Sequence, residues 1–211
     1  MKKLIEGVRR FQANVTDEQL SQFREMTKGQ APESLFITCS DSRVVPGLFT
    51  QSGPGDLFEI QNAGNIVPPY GVQSGCGVAA TVEYAVTVLG VAQIVVCGHS
   101  HCGAMGALFS QEKLKDTSIP AWLSYAEPTR RVIMQRVGPD ADPSSPEVVR
   151  MAVEANVLAQ LDNLRTHPSV AVALDAGRLQ LHAWVYQFES AEVFAFDSKT
   201  GAFESISEPA Q

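Results

Sequence analysis

Two clusters of polar residues, each placed directly after a run of apolar residues, constrain the fold of this chain more than any other feature of the sequence. The apolar run 35–38 leads into the polar cluster 39–43, and the apolar run 94–97 leads into the cluster 99–103. Short apolar runs of this kind predict buried strands. Because ligand-binding residues of open α/β sheets gather beyond the carboxyl ends of the strands, we expect the two clusters to meet at one edge of a sheet.

Three side chains of these clusters have the chemistry of a zinc site. Cys39 begins the first cluster, and His99 precedes Cys102 by three residues in the second, a spacing that lets both side chains face one metal across a turn. Two thiolates and an imidazole suit zinc and leave one coordination position for water or a carboxylate. The sequence therefore indicates a zinc lyase or hydrolase, with buried structural thiols as the alternative interpretation of the two cysteines.

The other cysteines and the histidine between the expected ligands have structural interpretations. Cys97 lies inside an apolar run and Cys76 lies between two glycines, so both are expected to be structural thiols. The side chain of His101 should point away from His99 if the turn is extended, and it is assigned to packing or to the surface.

Asp41 and Arg43 stand beside the first expected ligand. On a protein surface such a pair would be a weak ion pair. Next to a metal, Asp41 is attracted to the open coordination position, while Arg43 competes for the same carboxylate through charge-assisted hydrogen bonds. If Arg43 holds the carboxylate, water reaches the metal and Asp41 orients it. The pair is therefore expected to act both as an orienting device and as a switch.

Strands alternate with helices along most of the chain. Strands are predicted at 34–38, 56–61, 93–97 and 181–187, with an antiparallel strand at 192–197. Helices are predicted at 78–89, 103–109, 120–137, 146–164 and 168–176. This order predicts an α/β fold with a mostly parallel central sheet, of about four parallel strands plus an antiparallel edge strand, flanked by helices.

A pair of amphipathic helices is predicted before this α/β part, within residues 2–27, and the charged face of these helices suggests an arm that packs on another surface. From Gly201 onward the chain is expected to be a polar tail. The whole chain, 1–211, is expected to be a single domain with an N-terminal helical arm at 1–30, an α/β core at 31–200 and the tail at 201–211.

Composition narrows the class of protein. The net charge of −7 argues against a nucleic-acid partner, which requires a basic face. Glu6, Arg9 and Arg10 interrupt any apolar segment of an export signal, and Glu83 and Gln93 interrupt the longest apolar region, so neither export nor a membrane span is expected. Four cysteines are too few for a secreted disulfide framework. We therefore expect a cytoplasmic protein with reduced thiols.

These motifs resemble those of the β-class carbonic anhydrases. The cluster 39–43, followed by a His-x-x-Cys motif about sixty residues later, matches that family's pattern, as do the segments 55–58, 62–65 and 83–85. The likeness extends over roughly residues 2–197, and it is greatest to bacterial members associated with cyanate metabolism.

The resemblance implies a zinc enzyme. One zinc ion per chain would be bound by Cys39, His99 and Cys102, and the reaction would be the reversible hydration of carbon dioxide to bicarbonate and a proton by zinc-bound hydroxide. Asp41 and Arg43 would form the catalytic dyad. In a closed state, Asp41 itself would be the fourth zinc ligand.

Further roles are implied position by position. Gln30 resembles the family's substrate-orienting glutamine, while Phe58, Ala63 and Tyr84 match apolar or aromatic positions of the substrate site, and Gly103 would offer its backbone N–H. The resemblance also implies homodimers, often paired into tetramers, with active sites at the subunit interface and the helical arm clasping the neighbouring subunit.

The chain departs from the family at a regulatory position. Bicarbonate-regulated members use a tryptophan, an arginine and a tyrosine to hold an inhibitory bicarbonate, and the matching residues here are Phe36, Gln61 and Tyr186. An uncharged glutamine cannot pair with bicarbonate as arginine does. We therefore expect this enzyme to lack the inhibitory site.

Two other functions stay open at this point. A relative could hydrolyse another small heteroallene such as carbon disulfide, because residue identity alone does not fix the substrate. A non-catalytic protein could bind zinc or bicarbonate through the same fold, although a purely structural zinc ion has no need of the Asp41–Arg43 pair.

Overall fold

The computed structural model describes residues 1–72, 75–110 and 114–206. The chain divides into two compact units, Met1–Ala31 and Pro32–Gln211.

The first unit consists of two helices, α1 (Lys2–Asn14) and α2 (Asp17–Met26), which confirms the two helices predicted there. Thr16 begins α2 with a capping box: its hydroxyl accepts a hydrogen bond from the backbone N–H of Gln19 at 3.2 Å, and the Gln19 side chain accepts one from the Thr16 N–H at 3.0 Å. Neither helix has a buried residue. Their apolar side chains are thus available to another surface.

The second unit is built on a six-stranded sheet with the order β2-β1-β3-β4-β5-β6. Four strands pair in parallel: β1 (Ser34–Cys39), β2 (Leu57–Asn62), β3 (Gln93–His99) and β4 (Gln180–Tyr186). Two antiparallel strands, β5 (Val193–Asp197) and β6 (Ala202–Ser205), complete the edge beside β4. The predicted mostly parallel sheet with an antiparallel edge is confirmed.

The strand β6 corrects the predicted polar tail, which was expected to begin at Gly201. Gly201 has a φ of +69°, and this turn returns the chain along β5, where Phe203 pairs with Phe196 at a ring-centroid distance of 5.4 Å. Burial of one aromatic ring against another outweighs the polar character of the neighbouring residues. Residues 207–211 of the predicted tail lie outside the described part of the chain.

The helices of the second unit lie between the strands of the chain. They are α3 (Pro46–Phe49), α4 (Gly77–Tyr84), α5 (Gly103–Ala107), α6 (Ile119–Leu123), α7 (Glu127–Val137), α8 (Pro146–Arg165) and α9 (Pro168–Asp175). The helix predicted at 78–89 continues beyond α4 as one π-helical turn, Ala85–Leu89, and ends at Gly90 in the left-handed conformation. The single helix predicted at 120–137 is divided by the 3₁₀ turn Ser124–Ala126.

Close packing of α8 on β3 defines one wall of the core. A Cβ atom at position 98 would lie 2.8 Å from Cγ1 of Val153 and 2.9 Å from Cγ2 of Val157. Only glycine therefore allows α8 to pack this closely on β3. Pairing of Gly98 with Val185 and of His99 with Tyr186 extends β3 two residues beyond the predicted strand, so His99 is the last residue of β3 instead of the first residue of a loop.

No helix in the described ranges combines the length and the apolar character that crossing a bilayer requires.

Candidate metal centre

The three expected metal ligands meet at the carboxyl end of the sheet. Cys39 ends β1, His99 ends the neighbouring parallel strand β3, and Cys102 precedes the first turn of α5. All three side chains are buried, and their ligand atoms lie within 4.8 Å of one another. Asp41 is not part of this group. The topology thus assembles the Cys-His-Cys set that the sequence predicted.

The ring of His99 is oriented to offer a lone pair to this group. Its Nδ1 atom lies 2.9 Å from the backbone carbonyl oxygen of Ser100. A carbonyl only accepts hydrogen bonds, so Nδ1 carries the proton and Nε2 is unprotonated. The Nε2 atom is buried and has no hydrogen-bond partner. A buried acceptor without a hydrogen-bond partner, close to two buried thiols, suits a metal ligand, and the residues present fit zinc.

The two thiols influence each other strongly. A hydrogen bond from Cys102, together with contributions from His99 and from the Gly64 N–H, lowers the pKa of Cys39 to about 4. Conversely, the hydrogen bond to Cys39 and burial raise the pKa of Cys102. The two shifts have opposite directions because the thiols share a hydrogen bond, and a bound cation would favour the thiolate form of both sulfurs.

A glycine brings a backbone donor to the first ligand. The N–H of Gly64 donates to Sγ of Cys39 at 3.4 Å. Gly64 has a φ of +82°, and a Cβ atom there would lie 3.0 Å from Cβ of Ala104 and 3.1 Å from Cε of Met105. Both the backbone conformation and the lack of space require glycine at this position.

Arg43 holds the carboxylate of Asp41 in a bidentate pair. Nε of Arg43 donates to Oδ1 at 2.9 Å, Nη2 donates to Oδ2 at 2.8 Å, and the Arg43 backbone N–H donates to Oδ1 at 3.0 Å. Hydrogen bonding to Arg43 holds the pKa of Asp41 well below its usual range. Asp41 is thus a permanently ionised acceptor that is directed toward Arg43.

The histidine between the ligands does not join the metal group. His101 adopts a φ of +55°, its side chain is exposed, and its ring pairs with the carboxylate of Glu189. Its backbone carbonyl accepts a hydrogen bond from Nη2 of Arg43 at 3.3 Å. Cys97 is fully buried in β3, where burial raises the pKa of its thiol to about 12, as suits a structural residue.

The positions expected to contact substrate fall into separate groups. The rings of Phe58 and Tyr84 contact each other, with centroids 5.9 Å apart. Ala63 directly precedes the Gly64 donor, and its carbonyl accepts a hydrogen bond from Nε1 of Trp122 at 2.8 Å. Gly103 is the first residue of α5. Gln30 belongs to the first compact unit.

A ladder of buried amides on α8 also supports the centre, although the sequence reasoning did not identify it. The Asn156 amide donates to the carbonyl of Gly64 at 3.0 Å and accepts from the Gln160 amide at 2.9 Å. The Gln160 side-chain oxygen in turn accepts from the backbone N–H of Val67 at 2.9 Å. In the sequence, these residues can be recognised as two polar side chains, four positions apart, on the otherwise apolar face of α8.

The turn between β4 and β5 also contacts the centre, and its residues were not predicted either. The Phe188 ring lies 4.5 Å from the guanidinium carbon of Arg43 and 5.2 Å from the ring of His99, centroid to centroid. Pairing of His99 with Tyr186 in the parallel β3–β4 register brings this turn to the second cluster. The register, not the local sequence, determines this contact.

Comparisons with known proteins agree with this geometry. The carbonic anhydrase family model matches residues 34–193. The carbonic anhydrase of Pseudomonas aeruginosa is 50% identical over 211 residues, which cover 99% of this chain and 93% of that protein. Carbonic anhydrase 1 of Escherichia coli O157:H7 is 48% identical over 204 residues, covering 96% of this chain and 91% of that protein.

Solved structures give the class within the family. The structure of the β-carbonic anhydrase CcaA superposes with a TM-score of 0.92 at 42% identity and covers 97% of this chain and 98% of its own. One of two tetrameric β-carbonic anhydrases from Sordaria macrospora gives a TM-score of 0.82 at 27% identity, covering 92% of this chain and 95% of its own. Sequence and fold agree over nearly the whole length of the chain, and the Cys-His-Cys group suits a metal ion. The chain therefore belongs to the β-class carbonic anhydrases, zinc enzymes that hydrate carbon dioxide.

Proposed function

We propose that Cys39, His99 and Cys102 hold the zinc ion with which this enzyme converts carbon dioxide and water reversibly to bicarbonate and a proton. The observation that carries this assignment is the buried, unpartnered Nε2 of His99 within 4.8 Å of two buried thiols. Zinc, when bound, lowers the pKa of a water molecule and so supplies the hydroxide that attacks carbon dioxide.

Asp41 acts in this proposal as an orienting acceptor. Arg43 donates two hydrogen bonds to Oδ1 of Asp41 and one to Oδ2. Oδ2 therefore keeps a lone pair that can accept a hydrogen bond from a water molecule. A carboxylate whose pKa is held well below its usual range is a poor base at neutral pH. Asp41 therefore aligns the water molecule and does not take its proton.

Arg43 also decides where the Asp41 carboxylate points. The bidentate contact keeps Asp41 outside the ligand group, which supports an arrangement in which the fourth coordination position is free for water. Release of Asp41 from Arg43 would allow the carboxylate to take that position, which is the closed state. The pair thus works as a switch as well as an orienting device.

The substrate site in this proposal is built from the residues that match the family's substrate positions. Phe58 and Tyr84 would supply an apolar wall with Ala63, and the Gly103 N–H would donate to an oxygen of the substrate. Gln30 would orient the substrate from the N-terminal arm. Apolar walls suit carbon dioxide, which is uncharged and weakly hydrated, better than they suit bicarbonate.

Copies of this chain are the proposed protein partners, in a homodimer or tetramer with the active sites at the subunit interface. Exposed apolar side chains on α1, among them Leu4, Val8 and Phe11, support packing of the arm on a neighbouring subunit. The tetrameric state of the Sordaria macrospora enzymes is consistent with this assembly. We also assign the protein to the cytoplasm, because its four cysteines are free and reducing compartments keep thiols in that state.

Stopped-flow hydration of carbon dioxide across pH, with zinc measured on the same sample, tests the function. We expect about one zinc ion per chain and turnover that rises with pH. Full zinc with no turnover at any pH would contradict the proposal and would favour a binding protein or another heteroallene. The related proteins named above are all carbonic anhydrases, so neither alternative is favoured.

A further inference from the structure

The side chain of Arg43 has contacts beyond its carboxylate partner. It is 52% exposed, whereas Asp41 is 17% exposed. Exposed ion pairs are weak, because water competes for both charges and a long side chain loses rotational freedom when it is held in one position. The Nη2 atom also donates to the backbone carbonyl of His101 at 3.3 Å, and a further surface beside the guanidinium would strengthen the bidentate pose.

Phe188 provides that surface. The guanidinium carbon of Arg43 lies 4.5 Å from the centre of the Phe188 ring, a distance at which the negative face of an aromatic ring attracts a cation. The ring also contacts the rings of His99 at 5.2 Å and of Tyr186 at 5.4 Å, centroid to centroid. Phe188 therefore bridges a zinc ligand and the arginine of the dyad.

The position of Phe188 is fixed from its backbone. Its N–H donates to Oγ of Ser100 at 3.0 Å, and the same hydroxyl donates to Oε2 of Glu189 at 2.8 Å. The backbone N–H of Ser100 donates to the carbonyl of Tyr186 at 2.9 Å. Three hydrogen bonds thus connect the end of β4 and the turn that follows it to Ser100, and these bonds hold the ring over Arg43.

We propose that Phe188 is a positioning residue for the reaction: it holds Arg43 on Asp41 and so keeps Asp41 off the metal. This role rests on the function proposed for the dyad. Loss of the ring would let Arg43 leave the carboxylate more often, and the freed Asp41 would occupy the fourth coordination position for a larger fraction of the time. A cation–π contact at an exposed site corresponds to about a two- to fivefold change in such an equilibrium.

Three variants separate positioning from packing. Phe188→Ala removes the ring and its bulk. Phe188→Leu keeps an apolar side chain against His99 and Tyr186 but has no aromatic face for Arg43. Phe196→Leu is the matched control, because it removes an aromatic contact with Phe203 in the adjacent strand, away from Arg43.

The first measurement is the rate at which phenylglyoxal labels Arg43, followed by peptide mass spectrometry on zinc-loaded protein. We expect Arg43 to react about two- to fivefold faster in Phe188→Ala and in Phe188→Leu than in the wild type, and at the wild-type rate in Phe196→Leu. A purely structural role would leave Phe188→Leu like the wild type. Wild-type labelling rates in both Phe188 variants, or an equal increase in the control, would overturn the proposal.

The second measurement is the visible absorption spectrum of the cobalt-substituted proteins, which reports the ligands of the metal. The spectra of both Phe188 variants should shift toward that of a site with a carboxylate ligand, and adding Asp41→Ala to either variant should abolish the shift. Spectra identical to the wild type would contradict the proposed effect on Asp41. Failure of the wild type to bind metal would instead refute the proposed function, while the labelling rates would still test the contact between Phe188 and Arg43.

Discussion

The guanidinium of Arg43 binds the carboxylate of Asp41 through two parallel hydrogen bonds, from Nε to Oδ1 at 2.9 Å and from Nη2 to Oδ2 at 2.8 Å. The two residues are separated by one position in sequence, so the pair forms locally, within the segment that follows β1. In the proposed function its value comes from its neighbours, because Cys39 stands two residues before Asp41 and the second cluster follows the adjacent strand.

Removal of the carboxylate should separate metal binding from turnover. Asp41→Ala leaves all three proposed ligands in place but removes the acceptor that aligns water, so we expect unchanged zinc content and a fall in turnover of about a hundredfold. Asp162→Ala is the control, because Asp162 is an exposed acid that pairs with Arg165 on α8. Stopped-flow assays and zinc analysis on both variants make the comparison, and wild-type turnover in Asp41→Ala would refute the assignment of the dyad.

Removal of one thiol should abolish metal binding. A serine hydroxyl is a much poorer ligand than a thiolate for zinc, so we expect Cys39→Ser to retain little zinc and no measurable turnover. Cys76→Ser is the matched control, since Cys76 is also a free cysteine but lies outside the metal group. Metal analysis after dialysis distinguishes the two, and full zinc occupancy in Cys39→Ser would exclude Cys39 from the ligand set.

The acidic stability of the protein should depend on Glu127, in the first turn of α7. Hydrogen bonds from Arg130, and secondarily from Arg131, lower the pKa of Glu127 to about 2. Because the pKa is lower in the folded state than in the unfolded state, the stabilisation is present above about pH 4 and is lost as the pH falls toward 2.

Glu127→Gln tests this dependence. We expect the substitution to lower the free energy of unfolding by about 1 kcal/mol at pH 7, since the Glu127 side chain is 29% exposed and the ion pair is partly screened. The difference between variant and wild type should disappear as the pH approaches 2. Urea unfolding at several pH values measures it, and a difference that stays constant down to pH 2.5 would be the contrary result.

Bicarbonate should not bind beside β2 as an inhibitor. Phe36 lies between the rings of Phe49 and Trp184, with centroids 6.0 Å from each, and Tyr186 stacks on Phe49 at 4.6 Å. The position matched to an anion-binding arginine is the uncharged Gln61. A crystal soaked in bicarbonate should therefore show no anion at Gln61 and should show Asp41 on Arg43; an anion beside Gln61 with Asp41 on the zinc would contradict this prediction.

The sheet was predictable from sequence where burial is complete. The central strands β1 and β3 are buried along nearly their whole length, so each appears in the sequence as an uninterrupted apolar run. Strand β6 was not predictable, because its stability depends on the contact of Phe203 with Phe196 across a turn and the rest of the strand is exposed or half-buried. The composition of residues 202–205 alone does not predict the contact of Phe203 with Phe196.

The Cys-His-Cys group was predictable because each of its members is a chemically specific residue at the end of an apolar run or one turn beyond it. Phe188 was not, because a phenylalanine has no distinctive chemistry and its contact with Arg43 arises from strand register. Asn156 and Gln160 were likewise missed, since the backbone groups that they bind belong to a loop ninety residues earlier in the chain. Residues that position a site are harder to identify than residues that act in it.

The separation of the proposed ligands along the chain should make the stability of the folded protein depend on the supply of zinc. Cys39 and His99 are sixty residues apart in sequence and become neighbours only through the pairing of β1 with β3, so the unfolded chain has no comparable site. Above the dissociation constant, each tenfold rise in free zinc then adds about 1.4 kcal/mol to the free energy of unfolding. A cell that is short of zinc would therefore hold less folded enzyme, in addition to losing the activity that the metal supplies.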